Sequence, residues 1–252
     1  MTGIDGQRPF GGDRRTGDLG TVDIIMGPVS DGLSAPVPGL YVWHRADQLV
    51  TTDTGGVSAW GNLISGNPSA TQGASGDRPD TGGALGGQAS LVFNGSTDEL
   101  DMSLATGSAD DLGVAYVLDE VSSGTATTYF SLNQVTGNNV RIFRSGGGSW
   151  RYDVGAGTVN FGTANYVEQY VVANFVSGGN VNIRRNGVDI TTSGAMASGI
   201  QLSSAALSSI GSNGGGSLNA NAEYAEFMIK PGGFTAGDIT ALEAYFAARY
   251  GI

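Results

Sequence analysis

The chain has 252 residues, 40% of them hydrophobic, a net charge of -11 and no cysteine. That is enough apolar material for one large β domain or two small ones, and it excludes disulfide frameworks, thiolate metal centres and cysteine nucleophiles. Its eleven arginines and single lysine, Lys230, form no basic stripe, which argues against a nucleic-acid groove or an anionic membrane surface as partner.

Residues 1–37 read as an extended arm, broken by frequent glycine and holding one short apolar run, Val22 to Met26. Fully extended, such an arm reaches on the order of 120 Å, and its apolar run can add as a strand to another sheet. Arg8, Phe10, Arg14, Arg15, Val22, Ile24 and Ile25 are its candidate anchoring residues. No apolar run of secretory-signal length follows Arg14 and Arg15, and no stretch of ~18 apolar residues spans a bilayer. The expectation is a chain made in the cytoplasm, without a secretion signal or membrane span.

From residue 38 to 252 short apolar runs alternate with polar residues and are bounded by Gly, Asn, Asp and Ser, the pattern of an antiparallel sandwich. The 43 glycines follow no collagen-like period and suit tight turns between strands. Strands are expected at Leu40 to Arg45, Ser90 to Asn94, Gly113 to Leu118, Thr128 to Leu132 and Val140 to Arg144. Further strands are expected at Trp150 to Val154, Glu168 to Phe175, Val181 to Arg185, Leu207 to Gly211 and Glu223 to Lys230. On the first of these, Trp43 and Arg45 share one face and Val42 and His44 the other. Trp43 therefore belongs in or near the core, with Arg45 and Asp47 tying down the next loop. Asn186-Gly187 lies between two alternating arms and marks a type I′ hairpin, because both central positions need positive φ. A helix closes the chain: Thr235 as N-cap, Asp238 three residues on, Ile239, Leu242 and Phe246 at helical spacing, and Gly251 at C′.

Candidate chemistry is sparse. A single histidine, His44, leaves zinc only one imidazole, and no G-x-S-x-G elbow presents a serine. Calcium needs only oxygen ligands, which Asp98 and Asp101 could supply, but no EF-hand spacing supports it. No cofactor is expected. Glu223 and Glu226 are the nearest match to a paired-carboxylate glycosidase site, yet their odd spacing puts them on opposite faces of a regular strand. Sugar binding by stacking and nearby polar donors points to Trp150, Arg151, Tyr152, Tyr129 and Asn133. The parity of Trp150 and Tyr152, however, favours a place in the inner-sheet core over a ligand face. Trp60 is expected to cover a sandwich edge and Lys230 to be a plain surface lysine.

Several phrases carry a resemblance: W-x-R-A-D at Trp43–Asp47, V-S-x-W at Val57–Trp60, "FNGSTDEL" at Phe93–Leu100, A-E-x-x-I at Ala225–Ile229, and the terminal helix ending L-E-A-Y-x-A-x-R-Y-G. In these the chain resembles the concanavalin A-like, laminin G-like jelly-roll modules of bacterial and phage proteins, over about Gly39 to Ile252. The resemblance implies an all-β fold: a two-sheet antiparallel jelly-roll sandwich with one C-terminal α-helix, preceded here by the extended N-terminal arm. It also implies carbohydrate or protein contact. Combined with the arm and the missing signal, the first expectation is a non-enzymatic bacteriophage virion protein, a head or tail decoration, fibre or spike subunit. Residues 1–37 would dock it to other virion proteins in a homo-oligomer, and the sandwich would face host-surface polysaccharide or cement neighbours. The alternative is a free-standing carbohydrate-binding module, and a third reading is a jelly-roll glycosidase.

Overall fold

The computed structural model describes residues 34–105, 111–121, 126–132, 140–146, 148–154, 157–163, 168–176, 179–191, 202, 206–214 and 217–252. The strands run in chain order as β1 (Val42–Arg45), β2 (Val50–Asp53), β3 (Gly56–Trp60), β4 (Ala70–Thr71), β5 (Asp80–Leu85) and β6 (Gln88–Asn94). They continue as β7 (Leu100–Ser103), β8 (Leu112–Glu120), β9 (Thr127–Leu132), β10 (Val140–Arg144), β11 (Ser149–Val154) and β12 (Gly157–Thr163). The last are β13 (Gln169–Phe175), β14 (Val181–Arg185), β15 (Val188–Asp189), β16 (Leu207–Ile210) and β17 (Asn221–Pro231), before helix α1 (Ala236–Tyr250).

These strands build the expected all-β architecture of two antiparallel sheets and one C-terminal helix. One sheet has the order β15-β14-β13-β8-β17-β6-β5, with β1 also on β17; the other runs β12-β11-β10-β9-β16-β7-β4-β3-β2. β17 is the spine of the first sheet. One of its edges pairs with β8 from Ala222 to Pro231, and the other is shared, with Asn221–Tyr224 against β6 and Glu226–Ile229 against β1.

Period-2 alternation decides which side chains meet between the sheets. Val114, Tyr116 and Leu118 of β8, Val171, Ala173 and Phe175 of β13, and Phe227 and Ile229 of β17 point inward against Phe130, Ile142, Trp150 and Tyr152 of the opposite sheet. Trp60 lies in this core with no exposed surface, a correction to its expected place over an edge. A second apolar layer lies outside the first sheet, where Trp43, Val117, Tyr170, Val172 and Met228 meet Leu242, Phe246 and Tyr250 of α1.

The helix begins and ends where its capping residues dictate. Thr235 Oγ1 accepts from the Asp238 N–H at 3.1 Å, and Asp238 Oδ2 accepts from the Thr235 N–H at 2.9 Å, closing a capping box. Lys230 Nζ also reaches Asp238 Oδ2, at 2.5 Å with 15% of its side chain exposed, so Lys230 is a strand-to-helix tie and not a plain surface lysine. At the other end Gly251 is left-handed, φ 73°, and its N–H donates to Ala247 O.

The W-x-R-A-D phrase proves to be the clamp that holds this helix. Trp43 Nε1 donates to Glu226 Oε1 at 2.5 Å, and the Tyr250 hydroxyl donates to Glu226 Oε2 at 2.7 Å. Arg45 donates to both Asp47 oxygens, at 3.1 and 2.7 Å, while Arg249 of α1 donates to Asp47 Oδ2 at 2.7 Å. Arg45 and Asp47 thus secure the chain terminus as well as the following turn. His44 points the other way, with Nδ1 2.8 Å from Gly61 O and its ring 5.3 Å from that of Trp60. The expected hairpin is present, with Asn186 at φ 46° and Gly187 at φ 75°.

Candidate functional site

The outward half of each β10–β12 strand forms the site. In β10 and β11 the aliphatic and large aromatic residues Val140, Ile142, Trp150 and Tyr152 turn into the core, so Arg141, Phe143, Arg151 and Asp153 are left on the outer face. Register sets them in two rows: Arg141 opposite Asp153 and Asp153 opposite Thr158, then Phe143 opposite Arg151 and Arg151 opposite Asn160. Arg141 forms an ion pair with Asp153 and donates to Asn213 Oδ1 at 3.1 Å, with its guanidinium carbon 4.3 Å from the centre of the Phe143 ring. Thr158 Oγ1 donates to the other Asp153 oxygen at 2.7 Å. The row continues inward along the sheet through Ser131, Ser209 and Asp101, where Ser209 donates to Asp101 at 2.6 Å. Burial raises the Asp101 carboxyl, with the Ser209 hydrogen bond opposing it. Ser131 and Ser209 have no exposed surface, so the accessible part of the row is its β10–β12 end, where Thr158 and Asn160 are exposed and Arg151 is half-buried.

Arg151 stands out there. Its Nε is shielded from solvent without a hydrogen-bond partner, and among the described residues no carboxylate or carbonyl engages its guanidinium. Among the described residues the patch holds two guanidinium groups, Arg141 and Arg151, against one carboxylate, Asp153, on a chain whose net charge is -11. A cation without a counter-ion is suited to an anionic ligand, because a guanidinium presents paired N–H donors in the geometry a carboxylate accepts.

Among the described residues expected to bind a sugar, Arg151 alone faces outward. Trp150, Tyr152 and Tyr129 have no exposed surface. Trp150 and Tyr129 stack on each other inside the sandwich with centroids 4.9 Å apart, and Trp150 Nε1 donates to the buried Glu120 at 3.3 Å. Arg144 Nε lies 2.8 Å from Glu120, with 3% and 1% of the two side chains exposed. Burial raises the Glu120 carboxyl and Arg144 opposes the shift. This buried pair serves the core, and no sugar ring reaches the aromatics as packed. Asn133 and the arm residues Arg8, Phe10, Arg14, Arg15, Val22, Ile24 and Ile25 lie outside the described residues. Arg141, Phe143, Asp153, Thr158 and Asn160 were not singled out by sequence reasoning. Their signal was the alternation in "VRIFR" and "SWRYDV", read from the polar half.

The two glutamates weighed for catalysis need a correction. A register shift between Tyr224 and Glu226 inserts Ala225 as a bulge, and a bulge reverses the parity of the residues beyond it. Glu223 and Glu226 therefore lie on the same outer face of β17. Glu223 accepts from Ser90 Oγ at 2.7 Å, whereas Glu226 has no exposed surface and is sealed by Trp43, Tyr245 and Tyr250. Burial raises the Glu226 carboxyl, and its three hydrogen-bond donors oppose the shift. Asp98 accepts from the Asn94 N–H at 2.8 Å and Asp101 from Ser209, in separate settings. Among the described residues no three of His, Asp and Glu converge on a metal position.

No protein-family model matches the chain, and no curated protein sequence matches it. Solved structures do. A Trypanosoma rangeli sialidase in complex with a 2,3-difluoro-nononic acid superposes with a TM-score of 0.59 at 10% identity, over 89% of this chain and 36% of the sialidase. Botulinum neurotoxin type C, in a structure concerned with its interaction with two ganglioside molecules, gives 0.57 at 14% over 82% of this chain and 51% of the toxin chain. The ligand-binding domain of serotype D, in complex with N-acetylneuraminic acid, gives 0.53 at 12% over 82% and 51%. The shared feature is the β-sandwich fold. The chain spans about a third of the sialidase and half of the toxin chains. The expectation of a non-enzymatic protein does not stand against this finding, since sialidases are among the chains that share the fold. The paired-carboxylate pattern weighed at Glu223 and Glu226 tests one glycosidase class only.

Proposed function

We propose that this protein is a glycan-binding β-sandwich and that the β10–β12 outer face takes a sugar carrying a carboxylate. The observation that carries the reading is the half-buried, uncommitted guanidinium of Arg151 beside Phe143, Asn160 and the Arg141–Asp153 pair. An acidic sugar needs such a cation for its carboxylate, amide and hydroxyl groups for its ring oxygens, and an apolar surface for its C–H face. The structures that share the fold support the same direction, because two of them concern gangliosides or N-acetylneuraminic acid. The virion-subunit reading depends on residues 1–37 and draws no support from the sialidase and neurotoxin likenesses, which favour glycan binding.

The test is calorimetric titration of 3′-sialyllactose and of lactose into the full chain and into Arg151→Ala. Sialyllactose should bind in preference to lactose, and Arg151→Ala should weaken it about tenfold or more, the worth of one charge-assisted hydrogen-bonded contact. The melting temperature should stay unchanged, because Arg151 has no partner within the described residues. Equal affinity for the two sugars, or sialyllactose binding indifferent to Arg151→Ala, would refute the assignment.

A further inference from the structure

A second polar recess lies on the opposite sheet, beside the helix. α1 packs over β13, and β14 and β15 run out beyond it. Val181 and Ile183 point into the core, which sends Asn182 and Arg184 outward; register places Asn182 opposite Asn174, and Arg184 opposite both Val172 and Asp189. The outer side chains of β13–β15 and the first half of α1 enclose a groove of about 420 Å³, within the range of small-molecule sites.

Its lining divides into committed and uncommitted groups. Asn174 is spent on the backbone of Phe234, donating to the carbonyl at 2.6 Å and accepting from the N–H at 2.7 Å. Arg184 is likewise matched: Nε donates to Glu243 Oε1 at 2.6 Å and Nη2 to Gly187 O at 2.5 Å, with Asp189 on the neighbouring strand. Asp189 Oδ1 accepts from the Thr191 N–H at 2.9 Å, which, with the Thr191 hydroxyl, holds its carboxyl below the usual range. The Thr191 hydroxyl is spent on the backbone of Ile183, accepting from its N–H at 3.0 Å, and the Thr240 hydroxyl donates to Ala236 O at 3.1 Å. What faces the groove unspent is the second Asp189 oxygen and the side-chain amide of Asn182, which has no partner among the described residues. Val172, Ala236 and Ile239 supply an apolar floor.

We infer that this groove is a separate binding site for a neutral pyranose. One guanidinium against the carboxylates of Asp189 and Glu243 leaves the lining with excess negative charge, which disfavours an anionic sugar. A neutral ring meets each group instead: its hydroxyls donate to Asp189, the Asn182 amide both donates and accepts, and the C–H face rests on Val172 and Ile239. The inference stands on this lining alone and is independent of the Arg151 face.

The experiment is a titration of the ¹⁵N-labelled full chain with methyl glucoside, methyl galactoside and methyl mannoside at millimolar concentrations, monitored by amide NMR. At least one should shift the Asn182, Asp189, Thr191 and Thr240 signals in a saturable manner. Asn182→Ala should weaken that sugar about tenfold, and Asn182 has no partner whose loss would threaten the fold. Asp189→Asn should weaken it comparably, and Arg151→Ala should leave it unchanged. Silence of these amides towards all three sugars, or shifts that survive both groove variants, would overturn the inference. The Arg151 face is decided by sialyllactose alone, so either site can fail without the other.

Discussion

His44 offers a prediction whose size is set by its surroundings. Gly61 O can only accept, so the Nδ1 facing it at 2.8 Å carries the proton of the neutral ring. Nε2 is then a bare lone pair, buried without a partner next to Trp60. Adding a second proton would create a buried cation with one N–H unsatisfied. Burial accordingly lowers the imidazole from 6.5 to about 4, with the Gly61 hydrogen bond opposing it. In the unfolded chain the ring takes up its proton below pH 6.5; in the folded chain it does so only near pH 4. Between those values the unfolded state binds more protons, so stability rises with pH across the window. The contribution is complete above 6.5 and falls away by about 3 kcal/mol on acidification to 4, at ~1.4 kcal/mol per pH unit. His44→Gln keeps a donor for Gly61 and cannot titrate. Denaturant unfolding of both proteins from pH 4 to 8 should give a difference curve that slopes by this amount, and buried carboxylates such as Glu226 cancel because both carry them. The chain has one histidine, so its imidazole C–H resonance can be tracked without assignment. A midpoint near 6.5, or a flat difference curve, would refute the argument.

Two further substitutions test the packing. Trp150→Ala empties a fully buried site and should cost about 3–5 kcal/mol, a fall of about 10 °C in melting temperature for a chain of this size; an unchanged melting temperature would return Trp150 to the ligand-binding candidates. At Gly86, φ 52°, an added Cβ would stand 2.2 Å from the Tyr250 carbonyl oxygen. Gly86→Ala should therefore destabilise by about 2–3 kcal/mol or more, whereas Gly87→Ala, with open space around the new methyl, should cost only about 1 kcal/mol. Thermal denaturation of the pair separates the collision with the helix terminus from the cost of positive φ.

The expected strands were legible because each has a face in the sandwich core, where alternation is enforced by burial. Three of the strands that escaped, β2, β5 and β12, lie where burial does not write a pattern. β5 and β2 are sheet edges, their residues largely exposed in "DTGGAL" and "VTTD", and the edge strand β12 reads "GTVNFGT". β15 is also an edge, yet it was legible through its Asn186-Gly187 turn, since turn chemistry is local and needs no core. Glu226 was misread for a different reason. Its face depends on the Ala225 bulge, a one-residue slip against β8 that becomes visible only when the partner strand is known.

The ligand face shows the same limit from the other side. Alternation in "SWRYDV" puts Trp150 and Tyr152 on one face and Arg151 and Asp153 on the other, but alternation alone does not fix which half meets the core. The balance is tipped by neighbours distant in sequence: Tyr129 stacks on Trp150, Phe161 lies 4.5 Å from Tyr152, and Glu120 takes the indole N–H. Once those claim the aromatics, alternation forces Arg151 and Asp153 outward, and β10 must place Arg141 and Phe143 beside them to keep Val140 and Ile142 inside. The charged patch is thus a consequence of how the core is filled. The helix-side groove has no comparable trace in the sequence, because Asn182 and Asp189 on the strands and Thr240 and Glu243 on α1 come to line one groove only when the Trp43–Glu226–Tyr250 and Arg45–Asp47–Arg249 contacts bring the helix down beside them.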